Sequence, residues 1–593
     1  MLPDIMSTET QQVNGLTQTV AEVIAASLKR RGIRNIFGQS LPSELILAAE
    51  KEGIRQVVYR TENAGGAMAD GFARASGTIG VVAAQNGPAA TLLVPPLAEA
   101  MKASIPVLAL LQEVPRKSRD RNAFQEIDHV ELFGACSKRV SLLDCPERIE
   151  EDLDLAIVEA LSGRPGPVVV LLPRDVLSME GASVEGGGSS AEFPLDRPRP
   201  DAASVAVAAE MLRGAARPLI IAGGGVHASG GTEALAELQE IASIPVGTTT
   251  MGKGSVDERH ELSLGMITSF MGAGSLSRRM GEYVADADVI MFVGSRTNEN
   301  GTDAWTLFPE DGCSYIHLDM DPVEVGRNYP SVRLVGDARA GIEALLDALK
   351  DGDLATRGER RPQLASFIVS ARRRDRVSAA HLLSAPDSPI RPERVMAELD
   401  KVGDSQTIYV ADASYSTIWV AAYLTARRAG QRFITPRGLA GLGWGLPLAV
   451  GVQASEPESK VVCIVGDGGF AHCWSELETI AREQLPVTIV VLNNAILGFQ
   501  KHAELHKLGA HTTAVDHSRI DHCAIARACG VAAELVSDPE ELEGAFVRNL
   551  NSGRPGLVEV DTDARAYPPI KAWDDSPTLW ANPRSAEPNG KAA

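Results

Sequence analysis

The chain has 593 residues, 77 of them acidic and 57 basic, for a formal charge of −20 at pH 7. That length exceeds what one hydrophobic core sustains and implies several domains. The acidic excess argues against nucleic acid or an anionic membrane as partner. Seven cysteines with no CxxC make neither a disulfide framework nor a zinc site. Cys463, Cys473, Cys523 and Cys529 stand in apolar or helical surroundings and read as small core residues. The opening MLPDIMSTETQQVNG is polar and acidic rather than a signal peptide, and no run reaches the ~18 apolar residues of a membrane span. A cytoplasmic protein is expected.

Residues 1–15 read as a disordered lead. Over 16–177 the pattern predicts helix Val20–Arg30, strand Ile36–Phe37, helix Ser43–Glu52, strand Gln56–Tyr59, helix Asn63–Ala75, and strands Ile79–Ala84 and Val107–Leu111. Such alternation implies a doubly wound parallel sheet. Residues 178–200, rich in Gly, Ser and Pro, read as a linker. A second α/β unit is expected over 201–358, where strand Pro218–Ala222 runs into Gly223-Gly224-Gly225 and strands Val289–Val293 and Tyr315–Leu318 follow. Residues 359–390 form a connecting segment, with arginine-rich Arg360–Arg376 as a solvated helical face. The third unit spans 391–565 with strands Thr407–Val410, Lys460–Val465 and Val487–Leu492, and 566–593 have the composition of a tail. The fold class is therefore α/β: three doubly wound parallel-sheet domains, with no repeat visible in the sequence.

The most informative stretch is Val465–Gly498. An apolar strand stops in Gly-Asp-Gly-Gly, a helix over Glu476–Glu483 follows, and a second buried strand ends in Asn493-Asn494. Loops at the carboxyl ends of parallel strands are where such sheets bind ligands. Glycines let backbone N–H groups approach an anion, and Asp467 and Asn494 offer hard oxygens to Mg²⁺. Gly466-Asp467-Gly468 separated by 24 residues from Asn-Asn, each after a strand, is a specific pattern. It resembles the Mg²⁺–thiamine diphosphate motif of the acetolactate-synthase-like superfamily, and the resemblance covers residues 15–565.

That resemblance implies roles residue by residue. Asp467, Asn494 and the Ile496 carbonyl would hold Mg²⁺, with Gly466, Gly468, Gly469 and Leu497 around the diphosphate. Ala411–Ser416 is similar to the family's first diphosphate loop, which implicates Ser414, Tyr415 and Ser416. In Gly438–Pro447 (GLAGLGWGLP), Leu442 takes the place of the apolar wedge beneath the cofactor. The stretch RTENAGGAMADGFARASG looks like the activating segment, so Glu62 would hydrogen-bond the aminopyrimidine; that work asks for a carboxylate withdrawn from water. Gln85–Ala90, with Pro88, resembles the family's Gly-Pro-Gly loop. Arg121–Glu126 (RNAFQE) puts Phe124 and Gln125 on the substrate side. Gln39 and Ser40 occupy another loop of that pocket.

The sequence departs from the acetolactate synthase pattern at three places. Ala503 stands where those enzymes carry Trp, Asn300 where they carry a second Arg beyond Gly294-Ser295-Arg296, and Gln500 where pyruvate decarboxylases carry Glu. With Phe499 these imply a differently shaped acceptor pocket. His472, and His502, His506 and His511 in an expected mobile segment, read as structural or surface residues that also suit proton relay.

The function implied is decarboxylation of a pyruvate-like 2-oxo acid with carboligation to an acceptor carbonyl, in a homodimer or homotetramer whose sites lie between subunits. A C–C lyase, an FAD-linked oxidase and a non-catalytic paralogue are the alternatives. Gly223–Gly225 also suits FAD or another nucleotide.

Overall fold

The computed structural model describes residues 18–182, 190–268, 272–350 and 352–574. The expected lead over 1–15, part of the linker (183–189) and most of the tail (575–593) lie outside them.

Runs such as VVCIVG (Val461–Gly466), VIMFV (Val289–Val293) and VVVLLP (Val168–Pro173) are β-branched or apolar throughout and buried along their length. Strands covered on both faces read this way in parallel sheets flanked by helices. Among the described residues three six-stranded sheets result, and their strand pairs are parallel throughout. Numbering the strands within each unit, the first and third sheets share the order 2-1-3-4-6-5, and the central sheet has 6-5-4-1-2-3. The repeat absent from the sequence is thus present in the topology. Each order reverses beside the unit's first strand, and the loops leaving the two strands there diverge into a crevice.

The first and third units meet through helices Glu62–Ser76 and Gly445–Ser455. Glycine sets their separation. A Cβ on Gly71 would lie 2.3 Å from the Leu448 carbonyl oxygen, and one on Gly451 1.9 Å from that of Met68. One apolar cluster runs through both units, from Phe37 and Met68 to Leu448 and Val465.

Three expectations need correction. The arginine-rich connection is part of a helix, Ala355–Leu383, that buries Leu364, Ala365, Ile368 and Ala371 against the central unit. Its arginines do not all point to water: Arg357 is buried and donates to the carbonyls of Ala215, Ala242 and Ser243, and Arg372 to those of Glu258 and His260. Long aliphatic stems cover apolar surface while the charged heads cap backbone oxygens. The end of the linker packs on the first unit, with Ala191 buried and Phe193 donating to Gly77. The first residues of the tail are also part of the core: Trp573 is buried and packs on Phe499 and His506. Composition registers polarity and misses such local anchors.

His317, on strand Ser314–Asp319, ties the central unit's loops together: Nε2 donates to the Ser295 carbonyl at 2.9 Å and Nδ1 accepts from Gly326 at 3.1 Å. Burial lowers its pKa from 6.5 to about 4, and does the same to His502. The unfolded chain therefore takes up these protons first as pH falls. Stability is fully present above about pH 6.5 and is lost toward pH 4, by up to roughly 1.4 kcal/mol per histidine per pH unit. Melting temperature followed between pH 7 and 4 should fall, and His317→Gln should flatten the slope; a slope unaltered in that variant would refute the assignment.

Candidate active site

In the third sheet the order reverses between strands Ile408–Ala411 and Val461–Gly466, which are hydrogen-bonded neighbours. The loops that follow them, the turn after strand Thr488–Asn493 and the segment from Arg437 to Leu442 enclose a cavity of about 400 Å³. Ser414, Tyr415, Ser416, Leu442, Gly466, Asp467, Gly468, Gly469, Asn494, Ile496, Leu497, Phe499 and Gln500 all line it.

Asp467 is 8% exposed, and burial raises its pKa against the opposing backbone hydrogen bonds of Ala495 and Gly468. Its Oδ2 accepts the Ala495 N–H at 2.7 Å, and Asn494 Oδ1 accepts that of Ile496 at 3.2 Å. The turn is held from behind by Leu497 donating to Val515 and His517 donating to Ala495, each at 2.8 Å. The carboxylate, the amide oxygen and the Ile496 carbonyl make an all-oxygen set of the kind Mg²⁺ takes. Glycine is required at one point where the backbone lines this space: a Cβ on Gly469 would meet the fixed Asp412 Oδ2 at 2.1 Å.

The loop carrying Leu442 is held by two carboxylates that sequence reading gave no role. Asp412, 1% exposed, accepts the N–H groups of Gly443, Trp444 and Gly445 at 3.0–3.2 Å. Glu99, from the first unit and 2% exposed, accepts those of Gly438 at 2.6 Å, Ala440 at 3.2 Å and Leu439. Arg74 bridges Glu99 to Asp70 and donates to the Thr435 carbonyl. A third carboxylate, Glu476, accepts the N–H groups of Arg60 and Thr61 at 3.0–3.1 Å and so fixes the backbone just before Glu62.

The first unit's residues stand at their own sheet's reversal, between strands Asn35–Gly38 and Gly80–Ala84. Gln39 and Ser40 follow the first of these strands, Pro88 follows the second, and Glu62 opens its helix half-buried, one residue after the Thr61 cap. Gln125 (φ 62°) lies over the Gln85–Pro88 loop, taking a 2.9 Å bond from Gln85 Nε2 and a 3.0 Å bond to its carbonyl from Asn86. His129 Nε2 accepts the Gly87 N–H at 3.0 Å while Nδ1 meets Glu113 at 2.6 Å. Phe124 is 84% exposed. Inside one chain Gln39, Ser40, Glu62, Pro88, Phe124 and Gln125 are not on the cavity wall, and Glu62 lacks the dry surroundings expected for it.

Two further expectations fail on placement. Ala503 lies one turn beyond Phe499 on helix Gly498–Leu508 and packs toward the core rather than the cavity. That helix also contradicts a mobile setting for its histidines: His502 is 4% exposed, with Nδ1 2.7 Å from the Tyr415 hydroxyl. His472 and His511 are exposed.

A second cavity, of about 190 Å³, opens at the central sheet's reversal and is lined by Gly223–Gly225, Gly294–Asn298 and Asp319. There a Cβ on Gly223 would lie 2.2 Å from the Gly294 carbonyl oxygen. Burial raises the Asp319 pKa to about 6.

Three family models match in succession: the N-terminal TPP binding domain of thiamine pyrophosphate enzymes over residues 18–132, the central domain over 205–345, and the C-terminal TPP binding domain over 412–560. The chain belongs to the thiamine pyrophosphate enzyme family. Within it, the chain is acetolactate-synthase-like and a thiamine-diphosphate-dependent enzyme. It is 33% identical to a probable acetolactate synthase large subunit of Methanocaldococcus jannaschii, over 93% of each chain. It is 31% identical to the acetolactate synthase isozyme 2 large subunit of Escherichia coli, over 92% of this chain and 95% of that one. Among the described residues no helix is long and apolar enough to cross a membrane.

Losing either loop carboxylate leaves three N–H groups without their acceptor, buried ones in the case of Asp412, at about 1–3 kcal/mol each where water cannot replace it. Glu99→Ala and Asp412→Ala should each lower the melting temperature and weaken thiamine diphosphate binding by roughly tenfold or more. Titration followed by tryptophan fluorescence measures this; wild-type affinity in both variants would show that the loop holds itself.

Proposed function

We propose that the enzyme decarboxylates a pyruvate-like 2-oxo acid and joins the remaining acyl unit to an acceptor carbonyl. Overall, the donor and the acceptor with one proton give a 2-hydroxyketone and CO₂. The observation that carries this reading is the convergence of Asp467, Asn494 and the Ile496 carbonyl with Ser414, Ser416 and Leu442 on one cavity.

In this reading Asp467, Asn494 and Ile496 bind Mg²⁺, and Ser414, Tyr415, Ser416, Gly466, Gly468, Gly469 and Leu497 surround the diphosphate. Leu442, fixed by the two loop carboxylates, supports the cofactor from below. Thiamine diphosphate supplies the carbanion and the electron sink that decarboxylation requires. Glu62 of the partner subunit meets the pyrimidine and shares a proton with it, shielded once the subunits close over it. Pro88, Phe124 and Gln125 come with it, and Gln39, Ser40, Phe499 and Gln500 shape the substrate space. An exposed apolar run at Phe124, Ile127 and Val130 supports a partner chain over this face. The working unit is then a homodimer, alone or paired again.

The central cavity suits a nucleotide such as FAD, because its glycine backbone admits a diphosphate at a sheet reversal. Protein denatured after purification should release a nucleotide, with flavin absorbance if it is FAD; release of none would refute the proposal.

Purified enzyme with thiamine diphosphate, Mg²⁺, pyruvate and a panel of carbonyl acceptors should give, by mass spectrometry, a product of donor plus acceptor minus CO₂. Glu62→Gln should cut turnover by at least about 100-fold. Acetaldehyde alone would indicate a decarboxylase, and unconsumed pyruvate with cofactor bound would contradict the reading.

A further inference from the structure

Two buried side chains of the first unit, His129 and Glu113, lie beneath the Gln125 loop, and the proposed reaction leaves both without a role. His129 opens helix His129–Phe133 and is 1% exposed; Glu113 ends strand Val107–Glu113 and is 6% exposed. His129 Nε2 accepts the Gly87 N–H at 3.0 Å, so the ring proton is on Nδ1, which donates to Glu113 Oε2 at 2.6 Å. Glu113 Oε1 accepts the Val114 N–H at 2.7 Å, which fixes the carboxylate. Gly87 (φ 63°) takes a backbone conformation that favours glycine, and it lies directly against Gln125. A Cβ there would fall 2.7 Å from Gln125 Cβ and 2.8 Å from its carbonyl oxygen. A parallel line of contact starts at Gln112, whose amide donates to Asn86 Oδ1 at 3.4 Å; Asn86 in turn donates to the Gln125 carbonyl. Gln125 itself holds φ 62°, a left-handed conformation that a residue with a side chain keeps only where its surroundings impose it.

We propose that His129, oriented by Glu113, is a positioning residue that sets Gln125 against the substrate through the Gly87 N–H. The inference rests on the placing of Gln125 on the substrate side. A carboxylate only accepts hydrogen bonds, so Glu113 keeps the imidazole proton on Nδ1 and leaves the Nε2 lone pair for Gly87. The opposite tautomer would point one N–H at another, and the loop would have to move. Because Gly87 and Gln125 are in close contact, a shift of one carries the other. A displacement of about an ångström in a group that meets substrate can cost roughly a hundredfold in rate.

A double-mutant cycle on turnover separates positioning from plain support. Initial rates of pyruvate consumption are measured with thiamine diphosphate and Mg²⁺ saturating. Glu113→Gln is nearly isosteric and keeps the fold, yet its amide can donate to Nδ1 and admit the opposite tautomer. It and His129→Leu should each lower kcat by roughly tenfold to a hundredfold. His129→Gln should recover most of the loss, because its Oε1 can take the Gly87 N–H. In a Gln125→Ala background Glu113→Gln and His129→Leu should cost no more than about threefold further, since the group they position is gone. Losses that multiply in full in that background would assign the pair to general support of the fold and overturn the inference, whatever their effect on melting temperature. Wild-type kcat in Glu113→Gln would overturn it as well. Wild-type turnover in Gln125→Ala would overturn the substrate-side placing of Gln125 and the inference with it. Pyruvate left unconsumed by the wild-type enzyme would overturn the proposed function on which both rest.

Discussion

Six backbone N–H groups between Gly438 and Gly445 end on two buried carboxylates, Glu99 and Asp412. A loop this rich in glycine has little conformational preference of its own. Its shape is imposed from outside, by one acceptor from its own unit and one from the first. That dependence reaches far: Leu442 and Arg437 take their positions from it, and helix Gly445–Ser455, which packs on the first unit, begins where it ends. Burying Glu99 is tolerable because three N–H groups and Arg74 surround it. The wall of the cavity at Leu442 and the contact between units are therefore one structure.

The three sheets divide the chemistry by topology. The third and central units each present a cavity at their reversal, where such sheets bind ligands. The third carries hard oxygens and glycines suited to a metal diphosphate, the first carries Glu62 and the Gln125 loop, and the central one carries glycines suited to a nucleotide. Glu476 and Glu99 cross between the first and third units in opposite directions, one fixing the backbone before Glu62 and the other the loop of Leu442. Movement of either unit would disturb both half-sites.

Much of this was legible in the sequence. Helix Val20–Arg30 and strand Val289–Val293 fall where periodicity puts them, because long amphipathic or uniformly apolar runs leave little choice. The residues that line the C-terminal cavity, Asp467 and Asn494 among them, were legible because they stand in glycine-rich turns at strand ends. Glu99 was not: it sits in an ordinary helix and meets Gly438 across 339 residues of sequence. His129 and Glu476 were hidden for the same reason, since only the fold reveals what they face. Trp573 and Arg372 were misjudged because composition says nothing about where one side chain anchors a polar segment.

The central claim is that a complete site draws Glu62 and Asp467 from different chains, since within one chain Glu62 is not on the wall of the cavity that Asp467 lines. The most direct measurement mixes two inactive variants, Glu62→Gln and Asp467→Ala, under conditions where subunits exchange. A mixed dimer then holds one site with both residues intact. Equal mixing should restore about a quarter of wild-type activity, because about half the dimers are mixed and half of their sites are whole. No recovery, with exchange demonstrated, would put both residues in one chain's site and contradict the account.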